Sequence, residues 1–525
     1  MPPVTTDALF ERYGPRYRWL ATITVMLGTI SAMLTTTSVN VAIPDIMGAF
    51  GIGQDRAQWF STAALASMTI GMLLTDWMLN TFGQRRTFIG SLGIFVVALV
   101  VAGMSPNETV LIFCRIVQGA ATGLLQPLAM YVMFRVFPPN RRGMAMGFFG
   151  MSVILGPALG PTLGGILIDQ FNWRYIFFVT VPICIAGMLM GSVLLPECEE
   201  EGGRVRFDWP GFLLMSVTIA CLLIGLSNGQ REGWYSDTIL ALLGTTVAAG
   251  LGFVAWELHT DKPLVNLRVL TNTRFTAAAV VAFTFGVGLF GATYLVPLFV
   301  QTVQHYTPLS AGLLLMPAGL VMGAIMPLSG YLSDRISARA LIIAGLLCLA
   351  LSSYWLAGVD ANMSFWMIAW FMIVSRIGLS FIKPALNVSA LRVLPPEELG
   401  QGAGIINFTR QLGGAFGVNL LSVTLDRRTF FHSDTLTSLQ SPDNTATAEL
   451  LRQVQELLAR GGVPEELQNA GALHFLGRVV HAQAYTMGFR DSFLIAAAIC
   501  TVCLIPAWIM GGGRAESTAA RHVAV

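Results

Sequence analysis

Charged side chains are scarce in this 525-residue chain: Asp, Glu, Lys and Arg make up 11% of it, against about a quarter in an ordinary soluble domain. With 54% hydrophobic residues and a mean hydropathy of +0.66, that shortage excludes a soluble globular protein and leaves a polytopic membrane protein. Histidine is equally rare, and the six (259, 305, 432, 474, 481 and 522) all fall in loops or ends. An intramembrane acyl or glycosyl transferase wants His, Asp or Glu clustered near one membrane face, and no acid–base pair stands out. There is no GxxxxGK[ST], so no nucleotide-driven machinery is indicated. Of seven cysteines, six lie inside apolar segments and Cys198 lies in a loop. Cys500 and Cys503 form a CxxC, but within an apolar helix, where they read as small core hydrophobes and not as thiolates. No metal site and no cofactor are expected.

What the chain does contain is long apolar runs. A spanning helix needs roughly 20 mostly apolar residues, and fourteen such segments can be read, near 19–43, 58–79, 88–104, 109–133, 144–168, 173–195, 211–229, 237–256, 275–302, 309–331, 339–358, 364–387, 401–425 and 490–511. The first lacks a small-residue cleavage site and reads as a retained helix, not a signal peptide. With the N-terminus inside, eighteen Lys and Arg fall in cytoplasmic segments and only Arg56 and Arg231 in short outer loops. This bias predicts both termini on the cytoplasmic side of the inner membrane.

Two stretches 257 residues apart align without a gap, "PPNRRGMAMGFFGMSVILGPALG" (138–160) and "PPEELGQGAGIINFTRQLGGAFG" (395–417). Eight of 23 positions are identical, among them Gly143/Gly400, Gly147/Gly404, Gly156/Gly413 and Gly160/Gly417. The two helices are the fifth and the thirteenth, so they run in the same direction and the repeat is parallel. Parallel halves are one of the transporter architectures, with the substrate site between the halves near the midplane. The predicted organisation is therefore all-α, with a cytoplasmic segment (1–18), a six-helix lobe (19–195), a linker with two extra helices (196–256), a second six-helix lobe (257–511) and a cytoplasmic tail (512–525).

Ionisable groups inside a bilayer are costly and mark functional sites. Helix 4 carries Arg115, Gln118, Thr122 and Gln126 on one face, and helix 12 carries Arg376, Ser380, Lys383 and Asn387 on one face. Gln126 is followed by Pro127 and Lys383 by Pro384, in helices that are repeat partners. Helix 1 adds Asn40, helix 2 adds Asp76, and helix 13 adds Asn407 and Arg410. Together they predict a shared polar cavity. Three of these residues have structural alternatives: Arg115 as a helix–helix clamp to a carbonyl, Lys383 as an ammonium snorkelling to the interface, and Asp76 as an interfacial cap.

The motifs, taken in order, resemble the major facilitator superfamily, and within it the fourteen-helix drug:proton antiporters of the EmrB/QacA kind. "SVNVAIP" (38–44), "RIVQG" (115–119), "GPALGPTLGG" (156–165), "NWRYIFFVTVPI" (172–183), "FDWPG" (207–211), "YLVPLFVQTVQHYTPLSAGLLLMPAG" (294–319) and "RQLGGAFG" (410–417) carry the likeness over nearly the whole chain. The resemblance implies export of small amphipathic or toxic compounds, such as drugs and fatty acids, by alternating access, driven by the proton motive force. In "GPALGPTLGG", Gly156, Gly160 and Gly164 share a face that lets a neighbouring helix approach closely, next to Gly165. Its prolines, Pro161 among them, suit bending. The resemblance makes this stretch the hinge of a seam that seals and moves.

Two departures stand out. The family's helix 2–3 loop reads Gly-x-Leu-x-Asp-Arg-x-Gly-Arg-Arg, whereas "DWMLNTFGQRR" (76–86) keeps Gly83, Arg85 and Arg86 but has Asn80 in place of the acid. The second copy, "GYLSDR" (330–335), keeps Asp334 and Arg335, so the first latch is expected to be weakened and Asp334 to carry more of that role. Thr35 stands where the family usually has a helix-1 aspartate implicated in proton coupling, which makes Asp76 the nearest candidate. An uptake or facilitative carrier without helix-1 coupling is the alternative reading. Finally, a polar outer loop at 426–488 contains "AELLRQVQELLARGG" (448–462), a short amphipathic helix whose apolar face must bury against the loop itself, the transporter or another protein. Relatives in double-membrane bacteria suggest a periplasmic adaptor and an outer-membrane channel as partners.

Overall fold

Long apolar runs without water to bond their backbone leave only the helix, and every described membrane segment is helical. The computed structural model describes residues 5–197, 207–260, 263–440 and 444–510. Cys198 and the tail expected at 512–525 lie outside these, as does the side chain of Pro161. The helices are α1 (Tyr17–Phe50), α2 and α3 (the two arms of Trp59–Gly103), α4 (Glu108–Val136), α5 (Arg142–Gln170), α6 (Val181–Leu194), α7 (Trp209–Glu232) and α8 (Asp237–His259). The second half follows with α9 (Thr273–Thr302), α10 (Pro308–Ser333), α11 (Ala338–Leu356), α12 (Phe365–Arg392), α13 (Leu399–Ser438) and α14 (Glu465–Val502). Gly83, with φ 75° and ψ 172°, breaks Trp59–Gly103 into its two arms; a side chain at this φ would be strained.

Twelve described helices are long and apolar enough to cross a membrane. Trp59–Gly103 supplies two crossings, and α13 adds the fourteenth. The latter falls short in apolarity because Gln401, Asn407, Arg410 and Gln411 are buried on its inner side.

The repeat glycines divide into two sets by what they touch. Gly156 and Gly160 of α5 lie against Met33, Leu34 and Thr37 of α1, with no room for a Cβ, and Gly413 and Gly417 of α13 lie likewise against Phe283 and Val287 of α9. These contacts hold each lobe together. Gly143 and Gly147, nearer the start of α5, instead meet Met326, Pro327, Gly330 and Ser333 of α10, while Gly400 and Gly404 of α13 meet Asp76 and Met72 of α2. These contacts run between lobes, and the pairing α5–α10 mirrors α13–α2. Both seams lie at the end of the bundle that carries Arg85, Arg86, Arg141, Arg335 and Arg392. The seam face of α5 continues through Pro157 and Gly165, yet Pro157 is exposed and no atom lies within 4 Å of a Cβ at Gly165. The lobes are therefore sealed at the arginine-rich end and parted at the other.

The linker helices pack on one flank. Gln58 donates to Ser227 Oγ of α7 at 2.8 Å, and Gln230 of α7 donates to Asp426 of α13, so α7 touches both lobes. α8 is buried over only 11% of its most apolar window, as suits a helix facing lipid.

The segment 426–488 differs from the loop expected there. α13 runs 40 residues and α14 38, about 60 and 57 Å at 1.5 Å per residue, twice the ~30 Å hydrocarbon core. Residues 418–440 contain neither Gly nor Pro, so polar side chains leave the helix no reason to stop once it is in water. A 16-residue helix, Thr445–Arg460, joins the two extensions. It folds back on α14, where Leu458 lies against Gly471 and Gln455 donates to Asn469 at 3.2 Å.

Candidate transport pathway

Helices α4 and α12 place their polar stripes in different surroundings. Arg115 is 1% exposed; its Nε donates to the Phe60 carbonyl of α2 at 3.0 Å and its Nη1 to Gln118 Oε1 at 2.9 Å. Gln118 in turn donates to the Ala98 carbonyl of α3 at 3.2 Å. Burial lets the guanidinium escape unsolvated only where carbonyl oxygens receive it. Arg115 and Gln118 thus form a clamp among α2, α3 and α4, which is the structural alternative stated for Arg115, and Gln118 joins it instead of the cavity wall. Arg376 does the same in the other lobe, donating to Thr293 Oγ1 at 2.8 Å and to the Leu289 carbonyl at 3.4 Å, both on α9.

About two turns further along, the stripes reach the seam. Gln126 and Lys383 are 257 residues apart, the repeat spacing, and both are buried. Gln126 Oε1 accepts from Arg410 Nη2 of α13 at 2.8 Å, a bond between lobes, while its Nε2 lies 3.7 Å from Met33 Sδ and 3.9 Å from Met68 Sδ. Asn407 Oδ1 accepts from Arg410 at 3.3 Å, and Asn407 Nδ2 contacts Met130 Sδ of α4 at 3.3 Å. Lys383 packs its stem against Gly150 of α5, with Nζ 5.4 Å from the Phe149 ring centre. It is 3% exposed and does not snorkel. Asn387, one turn on, leaves Nδ2 without a partner. The structure therefore brings Gln126, Lys383, Asn407 and Arg410 together between the lobes. Asn40 stands apart near the open end, exposed, accepting from Ser61 Oγ at 2.8 Å.

The latches correct the sequence reading. Asp334 accepts from the backbone N–H of Gly143 at 2.7 Å and of Met144 at 3.0 Å, at the start of α5 in the opposite lobe. A carboxylate at a helix N-terminus meets both free donors and the positive end of the dipole. Burial still raises its pKa above the ordinary carboxylate value, the two N–H groups and Arg392 only partly offsetting that. The first copy is not weakened but displaced. Asp76, one turn before Asn80, accepts from the backbone N–H of Gln401 at the start of α13, and Asn80 Nδ2 donates to Asp76 at 3.2 Å. The acid has moved four residues along the same helix face and meets the equivalent helix start. Arg85 pairs within its lobe with Glu197 at 2.6 Å, Arg86 is exposed, and Arg335 lies 4.3 Å over the Tyr331 ring.

The glycine-rich stretch is corrected likewise. Gly156, Gly160 and Gly164 seal α5 to α1 inside one lobe, where Thr37 Oγ1 and Ser38 Oγ also donate to the carbonyls of Gly156 and Gly160 at 3.2 and 2.8 Å. The seam between lobes uses Gly143 and Gly147 instead, residues whose signal was already present in the repeat identities. Thr35, at the position of the missing acid, is buried and bonded to Thr180 at 3.0 Å within its lobe.

A separate open depression of about 450 Å³, lined by Tyr354, Trp355, His432, Arg490 and Asp491 among others, lies between α11, α13 and α14, away from the seam.

The family model of the Major Facilitator Superfamily matches residues 25–418. The chain is similar to the multidrug export protein EmrB of Escherichia coli (strain K12), 30% identical over 461 residues, covering 86% of this chain and 90% of that protein. It is similar also to the fatty acid resistance protein FarB of Neisseria gonorrhoeae, 27% identical over 494 residues and covering 94% and 96%. Among solved structures, the proton:xylose symporter XylE matches with a TM-score of 0.60 at 15% identity, covering 94% of this chain and 95% of that one.

Proposed function

The chain belongs to the major facilitator superfamily and groups there with its multidrug exporters, and from that premise we propose that it exports small amphipathic compounds, drugs and fatty acids among them, by alternating access. The observation that carries the reading is the pair of two-fold-related seams at one end only, with a polar cluster just beyond them and parted lobes at the other end. The arginine-rich end is the cytoplasmic side, by the preference of Lys and Arg for that side. Both termini are then cytoplasmic, and the arrangement described opens outward. Opening inward requires α5 to leave α10 and α13 to leave α2 while the other end closes.

Exchange for protons supplies the energy in this proposal: one charge moved through 100 mV is worth about 2.3 kcal/mol, roughly a fifty-fold gradient. Asp76 is the proton carrier we favour, because it is the acid that meets the start of α13 at the α2–α13 seam, so its protonation state and that seam are coupled. The burial of Thr35 supports a second reading, a facilitative or uptake carrier with no helix-1 coupling. Past the membrane, the α13–α14 extensions with exposed Phe430, Phe431, Leu467 and Phe475 are the contact we assign to a periplasmic adaptor leading to an outer-membrane channel.

A panel of dyes, fatty acids and antibiotics in everted vesicles, with and without an uncoupler, tests the proposal. Uncoupler-sensitive accumulation supports exchange; uncoupler-insensitive equilibration supports the facilitative reading. Substrate-induced proton release that survives in Asp76→Asn removes Asp76 from the coupling.

A further inference from the structure

Three cations, Arg376, Lys383 and Arg410, lie buried in the second lobe, the last two in the polar cluster, and among the described residues none has an acidic partner. Every described ion pair lies at an end of the bundle or in the helical segment that extends beyond it. Arg376 is satisfied by the oxygens of α9. The other two are not fully satisfied. Arg410 spends Nη2 on the neutral oxygens of Gln126 and Asn407 and leaves Nε buried without a partner. Among the described residues Lys383 has no oxygen partner, only the face of Phe149, and the like charge of Arg410 acts on it. The two acids nearest the seam, Asp76 and Asp334, are committed to helix N-termini at the arginine-rich end. An unpaired buried charge costs several kcal/mol, two of like sign cost more, and an arginine does not escape by shedding its proton. A site of this kind is built for a negative charge that arrives from outside the chain.

We propose that Lys383 and Arg410 receive the anionic headgroup of an amphiphile, a carboxylate or sulfonate carried on an apolar tail. This deepens the exporter reading and rests on it. Arg410 offers its unpartnered Nε and can yield its bond to Gln126; Lys383 offers an ammonium with three donors. Asn387 Nδ2, also buried and without a partner, lies one turn from Lys383 on the same face. The surroundings suit a variable tail: Met33, Met68, Met130 and Phe149 line the cluster, and thioether chains repack around different shapes. The repeat points the same way. The counterpart of Lys383 is Gln126 and that of Arg410 is Val153, so the cationic character belongs to one lobe alone and is not a requirement of the fold. An anion that takes Arg410 from Gln126 also removes a bond between lobes, which links occupancy to seam opening.

The test uses the full chain in zwitterionic nanodiscs and proteoliposomes, with three ten-carbon probes: decanesulfonate, decyltrimethylammonium and a neutral decyl glycoside. Decanesulfonate should bind at least ten-fold more tightly than the cation. Lys383→Gln and Arg410→Gln should each erase that preference, with monodisperse elution in detergent showing that the variants fold. Lys383→Arg should keep it. Equal or tighter binding of the cation, or preference intact in both glutamine variants, overturns the proposal. Transport separates the two claims: if the cation is exported and the sulfonate is not, the exporter stands and the anion site falls. If no probe is moved but sulfonate binding depends on Lys383 and Arg410, the anion site stands and the exporter falls.

Discussion

Adding a single methyl group at Gly147 should hold the arginine-rich end open. A Cβ there would lie 2.5 Å from the Met326 carbonyl oxygen, 3.0 Å from Pro327 Cα and 3.2 Å from Gly330 Cα. All three are backbone atoms of α10, so no side-chain rotation relieves the clash. Ordinary contact needs about 3.5 Å, so α5 and α10 must part by about 1 Å. Overpacking of this kind costs roughly 1–3 kcal/mol, which shifts the sealed-to-open ratio by about 5- to 150-fold at 1.4 kcal/mol per decade. Gly147→Ala should therefore deplete the arrangement described here and slow export, with substrate binding retained. Spin-label distances across that end, read beside vesicle export, measure both effects. Gly165→Ala is the control, because it makes the same change in the same helix, with the same gain in helix propensity, where no atom lies within 4 Å. If the two variants behave alike, close approach at the seam is not what sets the equilibrium.

Three further outcomes follow from the same geometry. Asp76→Gly should loosen the α2–α13 contact by removing the acceptor of the Gln401 N–H, and adding Asn80→Asp should restore it by returning the acid to the other copy's position; failure of the double variant in cross-linking of α2 to α13 argues against a displaced latch. Arg115→Ala strands the Phe60 carbonyl and Gln118, at about 1–3 kcal/mol, so the melting temperature in detergent should fall while substrate affinity holds; unchanged melting with lost affinity would return Arg115 to the pathway. Asp334 sets a pH dependence: its raised pKa in the sealed arrangement, against an ordinary value once the lobes part and water reaches it, means that protons favour sealing. That contribution is present below the ordinary pKa and is lost as pH rises through the raised one. Acidification should thus increase the sealed fraction in the wild type but not in Asp334→Asn, and the opposite slope would refute the assignment.

The fourteen crossings and the parallel repeat were legible because each rests on a local or periodic quantity: apolar length, charge in loops, spacing along the chain. The extensions of α13 and α14 were not, since helix continuation beyond the bilayer has no hydropathy signal, only the lack of a breaker between 418 and 440. Polar residues on helix 4 and helix 12 stood out in the sequence, but their roles did not. Arg115 and Arg410 are both buried arginines in membrane helices; one clamps three helices of a lobe and the other reaches across to Gln126, and nothing within either helix distinguishes them.

What the sequence alone determined is the class of molecule, an all-helical membrane protein in two like-facing halves, because water exclusion acts on every residue of a segment together. Tertiary packing alone sets which glycines face the opposite lobe and which hold their own lobe together. Gly143 and Gly156 sit in one helix and are both repeated 257 residues on, yet one faces α10 across the seam and the other faces α1 within its lobe. Only the placement of a second helix assigns a face its partner. The same reason hides the displaced latch, since Asp76 and Asn80 lie on one face and only the start of α13, brought in from the far half of the chain, shows which of them it meets.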